Sequence, residues 1–219
     1  MEIINLSKQN SVINSYLAEM RDPLYQKNRL LFRNNVKRVG EFEAYEISKS
    51  FNYEPCDVTT PLGVAKMQLP TNEIVIGTIL RAGLPFHDGF LNIFDKADNA
   101  FVSAYREYVN ESHTEVGVHV EYLATSEIEG KTLILADPML ATGSSMELAW
   151  EALKTKGTPS HIHVACLMAA PEGIEQVKKT LPDEITTIWC ACIDEGLNAQ
   201  KYIIPGFGDC GDLCFGEKK

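Results

Sequence analysis

Short, nearly continuous apolar runs recur along the last two thirds of the chain, separated by stretches in which apolar residues have helical spacing. Such runs predict strands buried on both faces, as in a parallel sheet covered by helices. The expected fold class is therefore α/β, with a mainly parallel twisted sheet flanked by helices. The runs expected to form strands are Glu73–Leu80, Phe101–Tyr105, Thr132–Ala136, Ile162–Met168 and Glu184–Ile193, with Val116–Leu123 in an antiparallel pair or an arm.

The first quarter of the chain is predicted to be helical and to lead into a β arm. Residues 1–52 read as helices, with a break at Asp22-Pro23 because proline cannot continue a helix from within it. A long second helix is expected from about Leu24 to Phe51. The segment Phe51–Leu69 is predicted to form the arm, turned at Thr60–Gly63. These elements are expected to cover the sheet or to form a subunit contact.

One strand–loop–helix segment carries the pattern of a phosphate site. The strand Thr132–Ala136 ends at Asp137-Pro138, and the small and hydroxyl-bearing residues Ala141–Ser145 follow before a helix. Ser144 and Glu147 have the spacing of a capping box. A helix start of this kind combines free N–H groups with the positive end of the helix dipole, which favours phosphate. A loop that only turns and caps is the alternative, but the acid at the strand end favours a ribose-phosphate ligand.

Two arginines are expected near the same edge of the sheet. Arg81 follows the strand Glu73–Leu80, and Arg106 follows the strand Phe101–Tyr105. The carboxyl ends of parallel strands form the usual ligand-binding edge of α/β proteins, and the planar fork of arginine suits phosphate. The alternative is a pair of solvated arginines, especially at Arg106, which precedes Glu107.

Composition and charge limit the classes of function. A net charge of −10 argues against nucleic-acid binding, which needs clustered Lys and Arg. No stretch approaches the roughly 20 apolar residues that a membrane helix requires. The first ten residues lack the basic and apolar regions of a signal peptide, so a cytoplasmic location is expected.

The cysteines allow two interpretations. Cys190 and Cys192 are expected on one face of a strand, and Cys210 and Cys214 lie close together in the tail, so a four-thiolate zinc site is one hypothesis. Neither pair has two residues between its cysteines, which is the usual spacing in a zinc knuckle. Reduced thiols packed as small apolar groups are therefore the favoured hypothesis. The six cysteines are Cys56, Cys166, Cys190, Cys192, Cys210 and Cys214.

Several motifs together resemble the uracil phosphoribosyltransferase family, which has the type I phosphoribosyltransferase fold. They occur in the family's order over about the last two thirds of the chain, with a weaker match over the N-terminal helices. The motifs are Ile79–Gly83, Tyr105-Arg106, Asp137–Ser145, Ala169–Gly173, Ile193–Gly196 and Tyr202–Gly216. The resemblance implies one domain over residues 1–219, with N-terminal helices and β arm at 1–70, an α/β core at 71–200 and a C-terminal uracil-binding tail at 201–219.

The resemblance also implies the substrates and their sites. The reaction would convert uracil and phosphoribosyl pyrophosphate (PRPP) to UMP and pyrophosphate, with Mg²⁺ bound mainly through the pyrophosphate and no protein metal site. Arg81, Asp137 and Asp209 would be catalytic. The implied PRPP site is Arg81, Arg106, Asp137, Pro138, Met139, Leu140, Ala141, Thr142, Gly143, Ser144, Ser145 and Asp209. The implied uracil site is Ile203, Gly208, Asp209 and Cys210, acting largely through backbone groups.

Partners are expected to be these small substrates and a second copy of the chain, as a homodimer or higher oligomer, with no nucleic acid or membrane.

The chain departs from the family pattern at Glu107, Ser144 and Cys210, and over Leu84–Asp88 and Leu123–Thr125. A second hypothesis is therefore a regulator that binds PRPP or nucleotide with little turnover. A transferase for a purine base is disfavoured by the tail, whose motif matches the uracil site.

Overall fold

The computed structural model describes the backbone of residues 1–108 and 116–217 and the side chains of residues 1–103 and 121–217. In these ranges the strands are Glu2–Asn5 (β1), Tyr53–Thr60 (β2), Gly63–Pro70 (β3), Ile74–Ile79 (β4), Asp98–Tyr108 (β5), Val116–Ala124 (β6), Thr132–Ala136 (β7), Met139–Leu140 (β8), His161–Ala169 (β9), Thr186–Ile193 (β10), Gly196–Leu197 (β11) and Ile203–Ile204 (β12). The helices are Ile13–Arg21 (α1), Arg29–Ser48 (α2), Gly83–Ile93 (α3), Ser144–Leu153 (α4), Pro171–Thr180 (α5) and Cys210–Phe215 (α6). Within the described ranges, none of these helices has the length and apolar character to span a membrane.

One central sheet, in the order β1-β10-β9-β7-β4-β5-β6, organises the chain. Every neighbouring pair along this order is parallel except β5 and β6, which run antiparallel. The short strand β8 follows β7 after Asp137-Pro138 and also pairs with β9. The predicted α/β fold with a mainly parallel sheet is therefore confirmed.

Each face of the sheet has its own apolar core. Side chains of α1, α2, α3 and α6 pack on one face, and side chains of α4 and α5 pack on the other. In β7, Ile134 belongs to the first core and Leu133 and Leu135 to the second, as the alternation of a strand requires. Helices α2 and α3 pack so closely at Gly89 that a Cβ there would clash with the carbonyl oxygen of Lys37.

Two N-terminal predictions were wrong. Residues 1–52 are not all helical, because Glu2–Asn5 form a strand that pairs in parallel with β10. The second helix begins at Arg29 and not at Leu24. Asn28 is its N-cap, and the side-chain oxygen of this asparagine accepts hydrogen bonds from the N–H groups of Leu30 and Leu31 at 3.1 and 3.2 Å.

The predicted β arm is present as an antiparallel hairpin of β2 and β3. Its strands pair from Tyr53 opposite Pro70 to Thr60 opposite Gly63, so the turn lies where the sequence places it. Large apolar side chains on this arm are exposed, including Leu62, which is 100% exposed, and Val64, which is 63% exposed. The arm therefore contributes little to either core of the described chain.

The expected shared face of Cys190 and Cys192 was also wrong. Cys190 packs in the core beneath α4 and α5, where its Sγ lies 3.3 Å from the Sγ of Cys166. Cys192 packs in the other core with Cys210 and Cys214, because alternation is interrupted near the end of β10. The four thiols of the zinc hypothesis are thus divided between two cores. No cluster of three or more metal-binding side chains occurs among the described residues.

Candidate functional site

A cavity of about 250 Å³ lies at the carboxyl ends of β4 and β7, where the tail also reaches. Arg81, Asp137 and Asp209, the three residues expected to be catalytic, all line it. The full lining is Ile79, Leu80, Arg81, Ala82, Asp137, Met139, Ala141, Ser145, Lys201, Tyr202, Ile203, Gly208, Asp209, Cys210 and Gly211. A wider groove of about 1120 Å³ shares Gly208 and Asp209 but includes neither Arg81 nor Asp137. The smaller cavity is therefore the candidate active site.

Asp137 is a buried carboxyl group with few protein donors. Only 8% of the residue is exposed. Its Oδ1 accepts a hydrogen bond from the N–H of Met139 at 3.3 Å. Burial raises the pKa of Asp137 to about 7, against a smaller lowering by the Met139 hydrogen bond. A carboxylate here has free acceptor capacity toward the cavity, which suits a ligand that carries hydroxyl donors.

The hydroxyl-rich loop leads into α4 without the predicted capping box. Gly143 is the N-cap residue, with a φ of 80° in the left-handed region and no side chain to cap the helix. Glu147 instead accepts a hydrogen bond from Nε2 of Gln176 at 2.9 Å. The Thr142 hydroxyl contacts the hydroxyl of Ser144 at 3.2 Å. Gly143 gives the start of α4 no side-chain cap, and the N–H groups in the first turn of a helix suit an anion.

The structure divides the expected PRPP residues into two groups. Besides Arg81, Asp137 and Asp209, the cavity lining includes Met139, Ala141 and Ser145. The residues of the loop that lie outside the lining are Pro138, Leu140, Thr142, Gly143 and Ser144. The remaining residue, Arg106, belongs to β5 beside β4, and its side chain lies outside the described residues.

Arg81 has an acidic partner that the sequence did not predict. It follows a cis peptide bond, Leu80–Arg81. Its Nη2 donates to Oδ1 of Asp212 at 3.2 Å and to the carbonyl oxygen of Gly216 at 3.4 Å. The Arg81 and Asp212 side chains are 40% and 32% exposed, so solvent screens the pair and an anionic ligand can displace it.

The tail is more regular than predicted. Strand β12 pairs with β11, and α6 begins at Cys210, which corrects the expectation of a loop with little helical or strand pattern. Asp209 is the N-cap of α6, and its Oδ1 accepts from the N–H of Asp212 at 2.8 Å. Ile203 and Cys210 are buried, whereas Gly208 is exposed with a φ of 100°. All four residues expected to bind uracil line the cavity.

An ion pair from distant parts of the chain holds the turn at Gly206, between the expected uracil residues Ile203 and Gly208. Arg21, the last residue of α1, pairs with both carboxylate oxygens of Asp194 at 2.9 and 2.6 Å. Its Nη1 also donates to the carbonyl oxygen of Gly206 at 3.1 Å, and the N–H of Gly206 donates to Asp194 at 2.9 Å. Both backbone groups of Gly206 are thereby fixed, so α1 helps to position the tail.

Six residues that line the cavity were not among the predicted site residues. Most of them neighbour a predicted residue, and the complete set is Ile79, Leu80, Ala82, Lys201, Tyr202 and Gly211. Lys201 differs from the others because it brings a positive charge. The signal that could have identified it is its place directly before the motif Tyr202–Gly216.

Comparison with known proteins agrees with this geometry. The profile of the uracil phosphoribosyltransferase family matches residues 7–217. The uracil phosphoribosyltransferase of Porphyromonas gingivalis is 52% identical over 218 residues, with 100% of both chains covered. That of Pyrococcus furiosus is 36% identical over 208 residues, which cover 94% of this chain and 86% of the relative. The solved structure of the AQ2163 protein from Aquifex aeolicus has a TM-score of 0.82 at 29% identity and covers 98% of each chain. The chain therefore belongs to the uracil phosphoribosyltransferase family, a family of pentosyltransferases.

Proposed function

We propose that this protein transfers the phosphoribosyl group of PRPP to N1 of uracil, giving UMP and pyrophosphate in pyrimidine salvage. The observation that carries the proposal is the meeting of Arg81, Asp137 and Asp209 with the tail residues Ile203 and Cys210 in one cavity. A phosphoribosyl site and a base site must adjoin for the transfer, because N1 and the anomeric carbon react with each other.

Some of the cavity residues bind the substrates, and Arg81 stabilises the charge of the leaving group. Asp137 accepts hydrogen bonds from the ribose hydroxyls, and the start of α4 holds the 5-phosphate with N–H groups and the Ser145 hydroxyl. Backbone groups around Ile203 and Gly208 match the carbonyl and N–H groups at the edge of uracil. As the bond from N1 to the anomeric carbon forms, the bond to pyrophosphate breaks and the N1 proton passes to the departing pyrophosphate or to water. Arg81 stabilises the charge that develops on the leaving group.

The cavity residues also fit a magnesium ion that arrives with the pyrophosphate. Mg²⁺ in such sites is usually held by one or two carboxylates together with substrate phosphates and water. Asp209 has one oxygen engaged by the N–H of Asp212 and a second that can hold the ion or its water ligands. When bound, Mg²⁺ neutralises part of the negative charge on the departing pyrophosphate.

The base specificity is tested by supplying uracil, cytosine and hypoxanthine in parallel with PRPP and Mg²⁺. We expect nucleotide formation with uracil, because the tail backbone presents groups that match its two carbonyls and one N–H. Formation of the nucleotide of hypoxanthine or cytosine at a comparable rate would contradict the assignment of the tail as a uracil site.

PRPP binding should strengthen as the pH rises through about 7. The pKa of Asp137 is about 7 in the free protein, and ribose hydroxyls donate to the ionised form. Binding then lowers this pKa and releases a proton from the protonated fraction. Calorimetric titration in buffers of different ionisation enthalpy measures the release. The phosphates of PRPP titrate too, so Asp137→Asn is the control; equal release by both proteins would refute this role of Asp137.

Arg81→Lys should lower turnover and weaken PRPP binding while the Michaelis constant for uracil changes little. Lysine keeps the positive charge but lacks the planar fork that binds two phosphate oxygens at once. Steady-state kinetics with each substrate varied in turn separates the two constants. A change confined to the Michaelis constant for uracil would contradict the assignment of Arg81 to the pyrophosphate.

The homo-oligomer is a further part of the proposal. Exposed apolar side chains cluster on the β2–β3 arm, among them Val58, Leu62, Val64 and Met67. Apolar clusters on a surface mark sites of protein association. We expect a second copy of the chain to cover this arm. The cytoplasmic location stays a prediction.

A further inference from the structure

We propose that Lys201 supplies a cation to the PRPP site, an assignment that rests on the proposed function. Lys201 lines the same cavity as Arg81, Asp137 and Asp209. Among the lining residues, the positive charges are those of Arg81 and Lys201, and the negative charges are those of the two aspartates. PRPP brings several negative charges into a chain of net charge −10, so a second cation at the cavity favours its binding.

The two cationic side chains differ in whether a protein group already binds them. Arg81 is held by Asp212 and the carbonyl oxygen of Gly216. Lys201 is exposed and forms no ion pair with any residue that the structure describes. Its ammonium group can therefore bind a phosphate without first leaving a protein carboxylate.

The backbone at Lys201 shows that the turn does not require a lysine. With a φ of 67°, Lys201 is the only residue other than glycine with positive φ in the described part of the chain. The side chain of Asn198 accepts from the N–H groups of Gln200 and Tyr202, each at 2.9 Å, and the N–H of Lys201 donates to the Asn198 carbonyl at 3.0 Å. A residue with a Cβ is strained in this conformation, whereas glycine adopts it freely. What lysine adds at this position is its charge.

The test measures PRPP affinity and thermal stability of the same variants. Lys201→Gly and Lys201→Asn both tolerate positive φ and remove the charge, and Lys201→Arg keeps it. We expect the first two to raise the Kd for PRPP with Mg²⁺ about tenfold, the scale of one charge-assisted contact. Lys201→Arg should retain most of the affinity. The Tm of Lys201→Gly should not fall, because relief of the left-handed strain offsets the flexibility of glycine.

The matched control is Lys96→Asn, which removes an exposed lysine that lines a different cavity. It makes the same change in net charge and should leave the Kd for PRPP unchanged. Titration of the protein with PRPP in the absence of uracil tests the role of Lys201 even if no UMP forms. UMP formation by the wild-type protein tests the proposed function separately. Unchanged PRPP affinity in Lys201→Gly and Lys201→Asn, or an equal loss in Lys96→Asn, would overturn the assignment.

Discussion

Asp137→Asn should lower the rate of UMP formation by about 100-fold or more, the scale of losing one placed electrostatic contact. The amide keeps an oxygen that can accept the hydrogen bond from the N–H of Met139, so the local backbone should be retained. It loses the second acceptor oxygen and the negative charge that the ribose hydroxyls need. Single-turnover measurement of UMP at saturating uracil and PRPP gives the rate of the chemical step.

The control for this variant is its thermal unfolding. Burial raises the pKa of Asp137 to about 7, so the ionised carboxylate costs folding stability at neutral pH, and a neutral amide should not lower the Tm there. An intact fold with an unchanged rate would exclude Asp137 from the reaction. An intact fold with the expected loss would support its proposed contact with ribose.

Asp209→Ala should nearly abolish UMP formation, whereas Cys210→Ala should keep near-normal activity. The Asp209 carboxylate is proposed to act beside Mg²⁺ and the reacting base, and no neighbour replaces it. The residue Cys210 is 2% exposed and packs in the core, while the proposed uracil contact at this position uses the backbone. Steady-state assays of the two purified variants under the same conditions compare them directly.

Asp209→Asn separates the charge from the helix cap. Asp209 caps α6 through Oδ1, so its replacement by alanine should also cost about 1 kcal/mol of stability. Asparagine is an equally good N-cap, and this variant should therefore keep the Tm while losing activity. Inactive Cys210→Ala that has lost bound zinc, together with active Asp209→Ala, would show that the tail is not a uracil site.

Local patterns sufficed for the two sheet strands, β4 and β7, that end at the cavity. The strand Thr132–Ala136 is a continuous apolar run whose partners lie on both sides of it, and Pro138 interrupts it at a fixed point. The place of Asp137 at the edge of the sheet follows from that interruption and was predicted for this reason. The family motifs then named the tail residues that line the same cavity.

Elements that depend on distant partners were missed. The strand Glu2–Asn5 has four residues and forms because β10 pairs with it, which no local pattern reveals. Helix α6 is only six residues long, and the cap from Asp209 defines its start. A helix of this length is too short to show a clear apolar period.

The hydrophobic pattern also does not predict which polar residues are buried in the core. Glu43 of α2 is 0% exposed. Its Oε1 accepts from the N–H of Cys166 at 3.1 Å, and Oε2 has no partner among the described residues. Burial raises the pKa of Glu43 well above its ordinary range, so the acid is expected to be neutral. The pairing of Arg21 with Asp194 likewise joins residues far apart in sequence.

The most direct test of the central claim counts product molecules per protein chain. Purified protein is mixed with labelled uracil, excess PRPP and Mg²⁺, and UMP and pyrophosphate are followed over time. Catalysis predicts many UMP molecules per chain, with one pyrophosphate released for each. PRPP binding with no UMP, or with no more than one UMP per chain, would show a regulator on this fold and contradict the enzyme.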